Sequence, residues 1–320
     1  MGNSGQGGAR RHGVTGVHSL QRFAMSVPSL DEAERFYRAF GLDVRRNGGA
    51  LELRAYGDPH CWGVIHGDGG QKRLQFLTFG IFADDADAFA ARIAKHGAAR
   101  DPHPLGTREG LWLADADGVA IQLVVAPNVS PAAKPAPDVP PPVPPGKGAA
   151  PARSRVEPVR PRRLSHVLRF TPDVMRMVRF CTDVLGMRLS DHSGDVIAFV
   201  HAPHGSDHHV MAFAKSDRPG LHHSSWDVRS VDEIGRGSEQ MRNAGYVDGW
   251  GVGRHVLGSN YFYYVRDPWK SWAEYSFDID YVPADLDWKA ADHPGEDSIY
   301  VWGPPMHPEF IVNHEAPAKA

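Results

Sequence analysis

One short plan recurs four times in this chain, and it limits the fold more than any single residue does. Leu20–Val44 (LQRFAMSVPSLDEAERFYRAFGLDV) reads as a strand, a capped helix, a glycine stop and a second strand. Ser29 and Glu32 have the spacing of a capping box, and Gly41 follows the helix. Leu164–Leu189 repeats the plan with Gly186 as its stop, and Leu74–Gly97 and Leu221–Gly245 repeat it again. Ser230 and Glu233 supply the capping box of the last copy. Alternating runs such as GLWLADADGVAIQLVV and YFYYVRDPWKSWAEYSFDI come after the helices and read as hairpin-like strand pairs with an Asp-containing turn. Self-similarity at a fixed period has to be read before a fold class is chosen. It gives four βαβββ-like units, two on each side of a proline-rich stretch.

That stretch, residues 131–161, favours extended chain and cannot build a core. The expected organisation is a flexible Gly-rich tail (1–16), a domain (17–130), the linker (131–161), a second domain (162–284) and a C-terminal tail (285–320). The fold class is α+β, two domains each of two βαβββ units. Paired units can curl their sheets into an open barrel, with alternate strand residues facing a cavity. The chain's 320 residues suffice for two such cores.

Composition excludes several classes. A net charge of −3 argues against nucleic acid as the partner. The basic residues from Arg153 to Arg163 read as a solvated tether. No window approaches 18 consecutive apolar residues, so no membrane association through a spanning helix is expected. The N-terminus has no apolar core of a secretory signal. Two cysteines, Cys61 and Cys181, cannot make a disulfide framework, so a reducing cytoplasmic setting is expected. Eighteen histidines are the unusual feature and make a metal or acid–base site worth seeking.

Three strand positions in the C-terminal half carry ligand-type side chains: His166 in LSHV, His223 in LHHS and Glu274 in WAEYS. Two neutral imidazoles and one carboxylate on adjacent strands can occupy one face of a metal and leave the other open, the facial arrangement of non-haem Fe(II) oxygenases. The equivalent N-terminal positions are Arg22, Phe76 and Gln122, which cannot make such a triad. Only the C-terminal copy is expected to hold a metal.

With these residues the C-terminal half resembles the type I extradiol ring-cleavage dioxygenases of the vicinal oxygen chelate superfamily. Three further residues fit that family's spacing. His209 lies fourteen residues before His223, Tyr264 nine after His255, and Glu274 ten after Tyr264. The resemblance implies Fe(II), occasionally Mn(II), held by His166, His223 and Glu274. It also implies a catechol-type substrate, O2 as co-substrate, and a homo-oligomer. His255 and Tyr264 are implied to hydrogen-bond the substrate oxygens and relay a proton. His209 is implied to stabilise reduced oxygen and to donate a proton during O–O cleavage. Relatives selective for carboxylate-bearing catechols often have Asn two positions after the first ligand. Leu168 stands there, which points to an apolar or bicyclic substituent. The turn Arg266–Lys270 lacks the family's usual Gly, so a different turn shape is expected there.

Plainer readings accompany these. His222 should point to the opposite face of its strand from His223 and act in packing or hydrogen bonding, and His208 likewise beside His209. His192, His201 and His204 fall in a polar hairpin region and read as solvated. The tail from Asp285 reads as a segment packed on the surface rather than a lid. Two rival functions remain: another metalloenzyme of the superfamily, such as a glyoxalase, an epimerase or a 4-hydroxyphenylpyruvate dioxygenase-like oxygenase, or a non-enzymatic small-molecule binder.

Overall fold

The computed structural model describes residues 10–67, 70–138 and 142–315. The N-terminal half runs β1 (Ser19–Val27), α1 (Leu30–Ala39), β2 (Asp43–Asn47), β3 (Ala50–Arg54), β4 (Gly63–Gly67), β5 (Arg73–Ile81), α2 (Ala86–Lys95), β6 (Leu111–Ala114) and β7 (Ala120–Val125). Its seven-stranded sheet has the order β2-β3-β4-β1-β5-β7-β6. The C-terminal half runs β8 (Arg163–Thr171), α3 (Val174–Asp183), β9 (Arg188–Ser193), β10 (Ile197–His201), β11 (Ser206–Asp207), β12 (Met211–Lys215), β13 (Gly220–Asp227), α4 (Val231–Asn243), β14 (Gly249–His255), β15 (Tyr261–Arg266), β16 (Trp272–Phe277), β17 (Tyr281–Val282) and β18 (Tyr300–Trp302). Its nine-stranded sheet has the order β18-β14-β15-β16-β13-β8-β12-β10-β9, and β11 pairs separately with β17.

The two sheets are built alike. At each centre the first strands of two units run antiparallel, β1 with β5 and β8 with β13. Each is flanked by the last strand of its own unit in parallel: β4, β7, β12 and β16. The second unit departs from the plan. Only β6 and β7 follow α2, and the missing strand is reduced to a lone bridge between Ala99 and Leu113.

Local chemistry sets the helix ends. Ser29 Oγ accepts from Glu32 N at 3.3 Å, and Ser230 Oγ from Glu233 N at 3.2 Å. The Glu233 carboxylate reaches back one residue further than a capping box requires and accepts from Arg229 N at 2.7 Å. Gly41 has φ +96°, and a Cβ there would lie 2.1 Å from the Val159 carbonyl oxygen. It therefore stops α1 and lets the end of the linker pack against it.

The halves share a core. Phe40 stacks on Tyr275 with ring centroids 4.0 Å apart, and the Tyr275 hydroxyl donates to the Phe40 carbonyl at 2.8 Å. Beside this apolar junction lies a buried ionic one. Arg169 of β8 has no exposed surface and donates to Asp115 in the β6–β7 turn, with Asp117 at 3.6 Å. Arg176 of α3 adds a bond to Asp117 at 2.7 Å.

Some segments expected to be free are fixed. Residues 1–9 of the expected N-terminal tail lie outside the described residues. Residues 10–16 lie against both halves: Arg10 pairs with Asp84 at 2.8 Å and Arg11 with Asp287 at 2.7 Å. Arg162 and Arg163 do not belong to a solvated tether. Arg163 opens β8 and Arg162 directly precedes it, and the two pair with Asp207 at 2.7 Å and Asp227 at 2.9 Å. The tail after 284 contributes β18 as an edge strand on β14.

Asp115→Ala should be costly. It removes the main partner of a buried guanidinium, and breaking such a pair typically costs about 3–5 kcal/mol. Urea unfolding should show a lower midpoint with the slope unchanged.

Candidate metal centre and active site

The ladder register brings the three ligand-type residues together. Ser225 of β13 pairs with His166 of β8 on one side and Glu274 of β16 on the other. His223, two residues earlier on the same strand, faces the same way. His166 Nε2 lies 3.3 Å from both His223 Nε2 and Glu274 Oε2, and His223 Nε2 lies 3.6 Å from that oxygen. All three side chains are buried. Glu274 Oε2 has no hydrogen-bond donor in bonding geometry. Burial opposes ionisation of Glu274, but the neighbouring His166 and His255 outweigh it and hold the carboxyl below its usual range. A buried carboxylate oxygen without a donor, facing two imidazole nitrogens, fits a divalent cation.

Each ligand is oriented from behind. His166 Nδ1 meets Ser165 Oγ at 3.3 Å, and Ser165 donates to Asp207 at 2.7 Å. His223 Nδ1 lies 2.7 Å from His222 Nδ1, and His222 also bonds to the Phe310 carbonyl. Asn260 Nδ2 donates to Glu274 Oε1 at 3.1 Å and to Ser276 Oγ at 2.9 Å. These contacts leave both Nε2 atoms and Oε2 for a metal. Outer partners of this kind set the tautomer and aim of ligands.

His222 corrects a sequence expectation. Strict alternation would place it across the strand from His223. The β8–β13 ladder slips between Leu221 and His223, and this bulge puts the two rings side by side, with centroids 4.9 Å apart. His222 does serve packing and hydrogen bonding, against Phe170 and Phe310. His201 and His204 are also not solvated. His201 is buried on Ser190 Oγ at 2.7 Å, and burial pushes its pKa down to about 3. His204 is covered by the chain start, through Gly16 O and Arg11 N, both at 3.2 Å.

The three other candidates surround the same cavity. The His209 ring lies 4.1 Å from that of His166, with His208 behind it. Burial first, then the neighbouring His166, keeps His209 neutral by holding its pKa well below the usual value. His255, at the end of β14, donates from Nδ1 to the Ile299 carbonyl at 2.7 Å. Its Nε2 therefore accepts, and the Tyr264 hydroxyl donates to it at 2.9 Å. Burial, then Glu274, raises the Tyr264 pKa, so the hydroxyl keeps its proton.

The cavity measures about 230 Å³, with walls that include Leu168, Phe199, Leu257, Met306, Phe310 and Ile311. The last three come from the C-terminal tail, which is thus more than a surface segment: it forms one wall. Lys270 takes φ +71°, so the turn before β16 uses the left-handed conformation without a glycine. In the N-terminal half, Arg22 pairs with Thr78, and Thr78 in turn with Gln122. This repeats the His166–Ser225–Glu274 register, so Arg22, Phe76 and Gln122 do occupy the corresponding places.

The structure identifies Ser165, His208, Asn260 and the tail as partners of the site. None had a motif to mark it, although the doubled His208-His209 and His222-His223 pairs are visible in the sequence.

Comparison with known proteins bears on the family and the fold. The model of the Glyoxalase/Bleomycin resistance protein/Dioxygenase superfamily matches residues 19–123 and 163–275. "Metapyrocatechase 2" of Cupriavidus necator is 50% identical over 302 residues, covering 94% of this chain and 93% of the relative. "Manganese-dependent 2,3-dihydroxybiphenyl 1,2-dioxygenase" of Geobacillus genomosp. 3 is 25% identical, covering 91% and 96%. The crystal structure of the Mn(II)-bound glyoxalase from Novosphingobium aromaticivorans superposes with a TM-score of 0.70 at 25% identity, covering 91% and 92%. With the matched segments lying on both sheets, the chain belongs to the Glyoxalase/Bleomycin resistance protein/Dioxygenase superfamily.

Proposed function

We propose that the C-terminal site is that of an extradiol dioxygenase, opening a catechol-type ring beside its two hydroxyls and placing both atoms of O2 in the product. One observation carries this reading: His209 and the His255–Tyr264 pair surround the same cavity as the His166, His223 and Glu274 cluster. The relative from Cupriavidus necator, 50% identical over nearly the whole chain, supports it.

His166, His223 and Glu274 would hold the metal, Fe(II) in our reading, with Mn(II) as the alternative suggested by the manganese-dependent relative. When bound, the ion supplies Lewis acidity to the two catechol oxygens and electron-transfer capacity toward O2. The chain's residues handle protons and shape. His255 Nε2 is an acceptor next to the Tyr264 hydroxyl and lies 3.8 Å from Glu274 Oε1, so it can take a proton from a catechol hydroxyl entering there. His209, neutral and buried on the other side of His166, can hold a proton and return it to oxygen as the ring opens. General acid–base assistance of this kind is typically worth roughly 10²–10⁴-fold. The apolar walls keep water from these groups, which strengthens each interaction.

The walls also bear on substrate choice. Leu168 stands two residues after the first ligand and lines the cavity. The lining includes one lysine, Lys215, which is half-exposed and already paired with Asp195. Among the described residues of the lining a carboxylate on the substrate would find no buried lysine or arginine, whereas an alkyl or aryl substituent would meet Leu168, Phe199 and Phe310.

The structural likeness to a Mn(II)-bound glyoxalase favours a second reading, isomerase-type metal chemistry without O2. Oxygen uptake by anaerobically Fe(II)-loaded protein separates the two. We expect one O2 consumed per catechol and a yellow ring-opened product, with catechols bearing apolar substituents preferred about 100-fold or more over carboxylate-bearing ones, a difference of roughly 2.7 kcal/mol. Metal uptake without oxygen consumption across the panel would favour the second reading.

Three substitution results are expected. His166→Ala should bind no metal in an elemental assay, while His209→Phe should keep its metal and lose about 10²–10⁴-fold in turnover. Asn260→Ala should weaken metal affinity about 10–100-fold, as loss of an outer partner typically does, and should also lower the melting temperature of the metal-free form, because a buried Glu274 oxygen loses its donor.

A further inference from the structure

Asp191 lies on β9, outside the cavity, yet it is joined to it. His208 Nε2 donates to Asp191 Oδ2 at 2.9 Å, and His208 Nδ1 lies 3.1 Å from His209 Nδ1. A neutral imidazole has one N–H and one lone pair. In a neutral His208, donation at Nε2 makes Nδ1 an acceptor, and the proton of His209 then sits on Nδ1. The lone pair of His209 is then on Nε2, the nitrogen not used by His208.

The carboxylate is held in turn by the chain after β17. Ala291 N donates to Asp191 Oδ1 at 2.9 Å, and His293 Nε2 lies 3.2 Å from the same oxygen. Trp288 sits edge-on to the His208 ring at 5.1 Å, and its Nε1 donates to the Ser190 carbonyl at 2.9 Å. Ser190 Oγ donates to the His208 carbonyl, so the ring's backbone is fixed as well. Burial opposes ionisation of Asp191, but these donors outweigh it and keep the carboxyl below its usual range. His208 is 1% exposed, so water does not compete for its ring.

We propose that Asp191 is a positioning residue for His209: acting through His208, it fixes which nitrogen of His209 carries the proton, and residues 288–293 hold it in register. The consequence is chemical. A lone pair on His209 Nε2 lets that ring receive a proton before it gives one. The opposite tautomer starts as a donor and cannot receive. The inference rests on the role given to His209 under the proposed function, but its structural half can be measured without turnover.

Asp191→Asn is the sharpest test. Its Oδ1 can still accept from Ala291 N, which leaves the amide NH2 facing His208. His208 Nε2 must then accept, its Nδ1 donates, and the proton of His209 moves to Nε2. Nitrogen-15 NMR of the ring nitrogens in metal-free protein, with His208→Phe and His209→Phe for assignment, should show both rings exchanging tautomer between wild type and variant. The loaded Asp191→Asn enzyme should retain its metal and its anaerobic catechol affinity, while kcat falls about tenfold or more. Asp191→Glu should recover part of it. Unchanged tautomers would overturn the inference, as would wild-type kcat in Asp191→Asn. Equal losses of metal, substrate affinity and turnover would also overturn it, making Asp191 a clamp for the tail only. If Asp191→Asn does not fold, His208→Phe takes its place, with the same selective loss of kcat expected and wild-type kcat overturning the inference. Wild-type protein without oxygen uptake would refute the proposed function instead, and the NMR result would still decide the tautomers.

Discussion

A carboxylate with no exposed surface lies at the centre of the C-terminal sheet, and much around it answers the problem it poses. Glu274 has one oxygen held by Asn260 and one facing two imidazoles. In an apolar core such a group is costly unless a charge or several donors offset it. Here Asn260 offsets one oxygen, and the other faces two imidazole nitrogens in an arrangement that fits a divalent cation. The requirement reaches outward: His223 needs His222 and the Phe310 carbonyl, and His166 needs Ser165, Asp207 and Arg163. Arg163 was assigned from composition to a solvated tether, yet it ends one of these chains.

The repeated architecture explains why one framework can be a site in one half and a core in the other. The same three ladder positions carry His, His and Glu in one half and Arg, Phe and Gln in the other. Gln122 satisfies its amide locally, donating to Thr107 and Glu109 and accepting from Thr78. The N-terminal half then contributes by packing. Phe40 against Tyr275, on the strand that carries Glu274, and Asp115 against Arg169, on the strand that carries His166, press directly on the C-terminal sheet.

The repeat, the four helices with their glycine stops and the strand positions of His166, His223, His255, Tyr264 and Glu274 were legible because they are local. Capping residues, period-two alternation and spacing along one chain all leave marks in sequence. What was not legible depends on departures from regularity or on distant chain. The slip at 221–223 turns His222 toward His223, and alternation gave no warning of it. His201 and His204 lie in a polar stretch whose burial comes from residues far away, at the chain start and in the tail. Asn260 and Asp191 are ordinary polar residues until the fold sets them behind Glu274 and His208. The shortened second unit was likewise hidden, since a strand reduced to one bridge at Ala99 leaves no clear pattern.

The order in which the wall is made has a consequence for the chain during its synthesis. Both sheets, apart from the edge strand β18, lie before residue 278, whereas Ile299, Met306 and Phe310 come later. These residues leave the ribosome only after the ligand strands can already have paired. Until they emerge, the cavity beside His166, His223 and Glu274 lacks that wall, and His255 lacks its Ile299 carbonyl partner.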